Sequence, residues 1–321
     1  MTIGIGAYGH RAGEAVFMAL QQAELVGKGS IRGFAVFAAI TNDGTLVYYK
    51  TQRGGTTTLV TRGETTGVLL PPEVLSAKIA GVISSGPDRA EPLEGTLPAN
   101  AGVGLVTGHR LPRSACRVHG TPLNQEVLEI MEAGLSAGEA VKIVVDENLE
   151  SDVGLIAVDI NGVIGIKNSV KVERRPDFAK IYREDTVNDV KVAVLMNEIH
   201  PVPAVAEIAA GVAMDIMNDK HKPDFKLLVK TGSKIELGST DEVHVNEDLL
   251  VTKLITSDQE NLVGRQRCCI PYIGAKVLQN NKIIGYIITE PSTTVDNGVI
   301  IDLSGQKEVF VAVKGYTYDL Q

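Results

Sequence analysis

Two copies of Gly-His-Arg, at Gly9-His10-Arg11 and Gly108-His109-Arg110, carry the sharpest chemical potential in the sequence. Each follows an apolar run that reads as a strand, and each precedes a region with helical character. A chain entering a helix leaves unpaired backbone N–H groups, which favour anions. Arg11 and Arg110 add two-pronged donors for a carboxylate or phosphate, while His10 and His109 titrate near neutrality. This pattern predicts a paired polar site where the two turns converge. The same residues could instead satisfy loop carbonyls or cap neighbouring elements, and the motif alone does not choose.

Other constellations are less specific. Gly54-Gly55-Thr56-Thr57-Thr58, preceded by Lys50, Gln52 and Arg53, offers backbone donors, hydroxyls and cations. It suits an anion or an ordinary loop, and it lacks the Walker spacing. Glu198-Ile199-His200-Pro201 places a carboxylate and an imidazole at a strand end. No HExxH, CxxC or zinc-finger spacing occurs, so neither metal nor cofactor is expected. Cys116, Cys268 and Cys269 read as small buried hydrophobes, and His119, His221 and His244 as solvated. There is no GxSxG, and Gly4 with Gly6 is only a fragment of a dinucleotide fingerprint.

The elements that must position these residues repeat. Thr2 to Tyr8 reads as a strand, Ala12 to Val26 as a helix, and Gly33 to Thr41 with Thr45 to Thr51 as a hairpin turning at Asn42-Asp43-Gly44. The order recurs with the strand Val103 to Val106, helices Leu123 to Ala133 and Ser136 to Glu147, and a hairpin turning at Asn161-Gly162. Ser136 with Glu139 has capping-box spacing. A looser third copy runs from Val190 through the helix Val202 to Asn218 to a strand at Phe225 to Lys230, and the chain beyond Glu242 is β-rich. The charged stretch Glu173 to Asp189 is the expected boundary, giving a region over 1–175 with two repeats and a second over 186–321. Gly54 to Asn100, rich in Thr, Gly, Pro and Ser, reads as a functional loop or a flexible excursion.

Composition narrows the partners. The 321 residues are 44% hydrophobic and 22% charged, with few aromatics and no Trp, so a globular chain with an aliphatic core is expected. A net charge of −8 and scattered Lys and Arg argue against nucleic acid. No apolar run approaches the roughly 20 residues of a membrane helix, and the N-terminus does not read as a signal peptide. The expectation is a cytoplasmic protein with a small polar or anionic metabolite as partner, no membrane partner, and homo-oligomerisation left open.

Over residues 101–169 the wording resembles N-terminal-nucleophile (Ntn) hydrolase-like proteins, in particular asparaginase-like and uncharacterised branches. The residues that carry it are Ala101-Gly102-Val103-Gly104, then Leu128, Ile130, Met131, Gly134-Leu135-Ser136, Glu139-Ala140, Asp152 to Asp159 and Gly162. The resemblance implies a layered αββα sandwich built from the strand–helix–hairpin units, with a β-rich C-terminal part. It also implies hydrolysis of an amide bond in a small polar metabolite. Such chemistry uses a Thr, Ser or Cys at the start of a strand, with its own α-amino group as base. Thr2, exposed by removal of Met1, would be that nucleophile, with His10, Arg11 or Lys50 orienting or neutralising the substrate. Arg53, Thr56, His109, Arg110, Glu198 and His200 would bind it. The alternatives are a small-anion-binding protein, non-catalytic or differently catalytic, and a repeat-built enzyme resembling ring-opening amidohydrolases, whose Ser and Lys motifs are not evident.

Overall fold

Strand β1 (Thr2–Tyr8) turns Ile3, Ile5 and Ala7 toward a helix layer and Thr2, Gly4, Gly6 and Tyr8 toward a second sheet. That alternation organises the first of two units, Met1–Asp219, in a computed structural model that describes residues 1–60, 70–219 and 222–315. After β1 come α1 (Ala12–Val26), β2 (Ala35–Ile40), β3 (Leu46–Thr51), the single turns α2 (Thr56–Leu59) and α3 (Pro72–Leu75), and β4 (Ile79–Ser85). The order continues through β5 (Ala99–Asn100), β6 (Gly104–Arg110), α4 (Leu123–Glu132), α5 (Ala137–Glu147), β7 (Val153–Asp159), β8 (Ile164–Asn168), the single turn α6 (Val170–Glu173), β9 (Phe178–Asp185), β10 (Val190–Asn197) and α7 (Val202–Met217).

One sheet is fully antiparallel in the order β3-β2-β4-β1-β10-β9, the other in the order β5-β6-β7-β8. Helices α1 and α7 pack on one another and on the outer face of the six-stranded sheet, burying Ala15, Val16, Ala19, Leu20, Val205, Ala209 and Ala213. Helices α4 and α5 cover the outer face of the four-stranded sheet through Val127, Met131, Val141 and Val144. The inner faces meet at Phe34, Val36, Ile83, Leu105, Ile156, Val158 and Leu195, all fully or almost fully buried. The pair Gly4 and Gly6 permits this approach. A Cβ on Gly4 would fall on the Gly108 carbonyl, and one on Gly6 on the side chains of Ile156 and Val158. The dinucleotide fragment is therefore a close-packing device. Ser136 caps α5 as its spacing predicts, in a reciprocal capping box with Glu139.

Three features differ from the sequence reading. Within Gly54 to Asn100 lies β4, a central strand between β2 and β1, buried on both faces and so lacking the alternation that marks a half-buried strand. The charged stretch before Val190 holds β9, an edge strand paired along its full length with β10, whose Lys180, Arg183 and Glu184 suit an edge. The boundary accordingly falls after Asp219, not between 175 and 186. The looser third copy is divided by it, because β10 and α7 belong to the first unit and the strand that follows to the second.

The second unit, from Lys220 onward, contains β11 (Phe225–Lys230), β12 (Ile235–Leu237), β13 (Glu242–Val245), β14 (Val251–Thr256), β15 (Arg265–Cys268), β16 (Lys276–Gln279), β17 (Lys282–Ile287), β18 (Thr293–Asp296), β19 (Val299–Asp302) and β20 (Glu308–Gly315). A seven-stranded mixed sheet, β11-β20-β17-β16-β13-β14-β12, accompanies a three-stranded one, β15-β18-β19. Leu227, Val243, Leu254, Val277, Val295, Ile300 and Val311 form its core, so the C-terminal part is β-rich as expected. No helix among the described residues is long and apolar enough to cross a membrane.

Candidate functional site

At the end of the six-stranded sheet where β1 begins, three polar residues stand in a row. Thr2 is directly opposite Ser85 on β4 and Asn197 on β10, so all three side chains share the face turned to the other sheet. Thr2 is 2% exposed, and Ser85 and Asn197 are fully buried. Neither the Ser85 hydroxyl nor either polar atom of the Asn197 amide has a hydrogen-bond partner. Buried polar groups are nearly always satisfied, so these two unpaired groups beside one threonine single the row out as a candidate site.

Of the row, Thr2 borders a cavity of about 240 Å³, lined also by Phe34, Ile83, Arg89, Arg110 and Arg113 among others, while Ser85 and Asn197 lie buried on either side of Thr2. Arg89 lies over the Phe34 ring, 5.7 Å from its centroid, and burial pulls its guanidinium below the ordinary arginine range. Arg113 donates only to backbone, to the Ala90 carbonyl at 3.2 Å and the Pro92 carbonyl at 3.5 Å. Among the described residues, neither cation is paired with a carboxylate. Arg110 is: its guanidinium grips Asp152 in two bonds of 2.9 and 2.6 Å, and that bond, with the charge of the arginine, holds the Asp152 carboxyl below the usual range. The cavity thus combines an apolar wall with uncompensated positive charge, the composition of a site for a small organic anion.

His109 is fully buried on the inner face of β6, its Nε2 2.9 Å from Asn168 Oδ1. With that oxygen as acceptor, Nε2 carries the proton and Nδ1, which has no partner, presents a bare lone pair. Burial above all holds its pKa down at about 4, so the ring is neutral at physiological pH. The Met1 amine sits 3.4 Å from Glu198 Oε2, and the other oxygen of that carboxylate, Oε1, takes a bond from Arg175 at 3.2 Å. Burial depresses the amine most, Glu198 opposes that, and the charges of Arg110 and Arg89 add to the depression.

Of the residues singled out from sequence, Thr2 and Arg110 line this cavity, and His109 and Glu198 stand near the amino terminus. The others do not converge on it. Strand β1 separates the two Gly-His-Arg turns by its full length, about 20 Å, so His10 and Arg11 stand at the opposite end from His109 and Arg110. There they bind Asp219, and Arg11 also binds Glu14. The second copy is also strand to its last residue, with α4 starting only at Leu123. Lys50 pairs with Glu94, and Arg53 with Asp88, on the surface. Thr56 is buried, donating its backbone N–H and hydroxyl to Glu24, whose carboxyl is pushed up by burial. The exposed His200 exchanges backbone bonds with Lys28 at the entry to α7. Sequence reasoning missed Ser85 and Asn197, which strand register sets opposite Thr2, and Arg89 and Arg113, which the connections after β4 and β6 carry to its cavity.

Fold and site together define a two-unit α/β protein with a cationic cavity at the end of paired antiparallel sheets. Residues 2–226 match the family model described as Domain of unknown function (DUF6963), and residues 232–308 match Domain of unknown function (DUF7259). The first match spans well over half of the sequence, and the chain belongs to the DUF6963 family. No curated protein matches the chain.

Proposed function

We propose that the first unit is an amide hydrolase of the N-terminal-nucleophile type, acting on a small amide that carries a carboxylate. The observation that carries this reading is Thr2, at the start of a central strand, flanked in register by the unpartnered Ser85 and Asn197 and facing Arg89 and Arg113. The succession of helix pair, sheet, sheet and helix pair supports an αββα sandwich of that superfamily. With Met1 removed, the Thr2 amine would lie among the same charges that depress the Met1 amine, favouring a neutral base. Thr2 Oγ1 attacks the amide carbon and its proton passes to the amine. Asn197 Nδ2 and the Ser85 hydroxyl are the donors available to the oxyanion. The ammonium returns the proton to the leaving nitrogen, the C–N bond breaks, and water cleaves the resulting Thr2 ester. Arg89 and Arg113 hold the substrate carboxylate.

One observation favours a second reading, a binding protein without this chemistry. Met1 is seated rather than loose, with its amine at Glu198 and its sulfur accepting from the Ser30 N–H at 3.1 Å. Intact-mass spectrometry joined to amine release from a panel of carboxylate-bearing amides separates the two. Hydrolysis requires a chain lacking Met1, an acyl adduct on Thr2, and loss of turnover by about a thousandfold or more in Thr2→Ala. Retention of Met1 throughout overturns the catalytic reading.

A further inference from the structure

The segment joining β6 to α4 folds Cys116, His119 and Glu126 together, the last in the first turn of α4. One ligand atom from each lies within 4.8 Å of the other two, and His119 Nδ1 is 2.6 Å from Glu126 Oε1. The turn is closed by backbone bonds: the Cys116 N–H donates to the Thr121 carbonyl at 2.6 Å, and the Gly120 N–H to the Cys116 carbonyl at 2.9 Å. Gly120, at φ 76°, supplies the left-handed residue that folds the strand of sequence back on itself. Cys116 is 3% and Glu126 6% exposed, whereas His119 is exposed on its outer side.

Supporting contacts reach each inner ligand. Asn148 Nδ2 points at Cys116 Sγ from 3.6 Å, and that amide is fixed by bonds to the Val144 carbonyl at 2.8 Å and from the Arg117 N–H at 2.9 Å. The Thr121 hydroxyl donates to the second oxygen of Glu126. The Asn148 amide is thus a donor in place to support Cys116 Sγ as a metal ligand. Thiolate, imidazole and carboxylate are the donor set of zinc and similar late first-row ions, and two negative charges balance a divalent cation. Tetrahedral bonds of about 2.0–2.3 Å place ligand atoms roughly 3.3–3.7 Å apart, so an ion would part the 2.6 Å His119–Glu126 pair by about 1 Å within a cluster whose ligand atoms all lie within 4.8 Å.

We propose that Cys116, His119 and Glu126 bind a zinc-class divalent cation that pins the loop from Leu111 to Pro122. The same loop supplies Arg113 and Ser114 to the wall of the Thr2 cavity, so the ion fixes a wall of the anion site whatever chemistry occurs there. The site is independent of the hydrolase reading. The sequence signal is Cys-x-x-His followed by a glutamate seven residues later, a spacing outside the common zinc-finger patterns.

The test is titration of the full-length, chelator-stripped chain with Co²⁺, followed by displacement with Zn²⁺. One Co²⁺ per chain is expected, with thiolate-to-cobalt charge-transfer absorption and the intense d–d bands of a tetrahedral site. Cys116→Ser removes the charge-transfer band, while His119→Ala and Glu126→Gln weaken binding by about tenfold or more. The double variant Cys268→Ser, Cys269→Ser leaves the spectrum unchanged. Zn²⁺ should also slow hydrogen exchange in the 111–122 loop of the wild-type chain. Absence of a thiolate band in the folded wild type, or its loss only when Cys268 and Cys269 are replaced, overturns the proposal. Because His119 is largely exposed, His119→Ala keeps the test decisive even if Cys116→Ser does not fold; undiminished binding in that variant also overturns it.

Discussion

Asn197 lies directly opposite Thr2 in the β1–β10 ladder, fully buried, with neither end of its amide hydrogen-bonded. A buried amide left unsatisfied costs about 1–3 kcal/mol relative to one that is satisfied. Replacement by a similar-sized apolar residue tests whether the cost is retained for function. Asn197→Leu should unfold at a temperature several degrees higher, at about 2–4 °C per kcal/mol for a unit of this size. If the amide serves an oxyanion, the same variant should lose about 10²–10³ in turnover. Thermal melts and amine release read the two effects separately, and a fall in both would make Asn197 a packing residue.

His109 gives a pH dependence of defined sign. Its folded pKa of about 4 lies below its ordinary 6.5, so between those values the unfolded chain holds a proton that the folded chain does not. Stability from this group is therefore complete above pH 6.5 and is lost as pH falls toward 4, by about 3 kcal/mol across the window. Asp152 is depressed below the ordinary carboxylate value by Arg110, so its contribution is lost only at lower pH. Urea unfolding between pH 4 and 7 should show a steeper slope in the wild-type chain than in His109→Gln. Equal slopes would place the histidine in contact with solvent.

The cavity cations should act differently from those of the surface. Arg89 and Arg113 have no carboxylate partner among the described residues, and a charge-assisted bond to a ligand is worth about 1.5–3 kcal/mol. Arg89→Gln should weaken a bound dicarboxylate or N-acyl amino acid by roughly tenfold to a hundredfold. Arg53→Gln should leave affinity within roughly twofold, because Arg53 and Asp88 form an exposed, screened pair. Ligand-induced thermal shifts across the panel compare the two directly.

The sequence was most legible where local rules act alone. The capping box at Ser136, the Asn-Gly hairpin and strand β7 lie where spacing puts them, since turn and cap chemistry is decided within a few residues. Strand β4 and the site row were not legible. Ile79 to Ser85 is buried on both faces, which removes periodicity, and the meeting of Thr2, Ser85 and Asn197 depends on register between strands far apart in sequence. Gly-His-Arg illustrates the limit of motif reading. His10 lies in the surface turn between β1 and α1, and His109 is sealed inside a strand, so identical tripeptides carry opposite environments.

Two glycines with opposite surroundings test the contact between sheets. A Cβ on Gly4 would collide with the Gly108 carbonyl, which belongs to a strand and cannot swing aside, so relief requires separating the sheets that enclose the cavity. Gly4→Ala should cost about 3 kcal/mol or more and widen the gap lined by Thr2. Gly138, within α5, would place its Cβ 3.7 Å from Val163 Cγ1, an ordinary contact, and it has no positive φ. Gly138→Ala should therefore stabilise the chain by about 0.5–1 kcal/mol through helix propensity. Denaturant midpoints should move in opposite directions for these two single-methyl additions. A Gly4→Ala chain as stable as wild type would show that the sheets do not meet there.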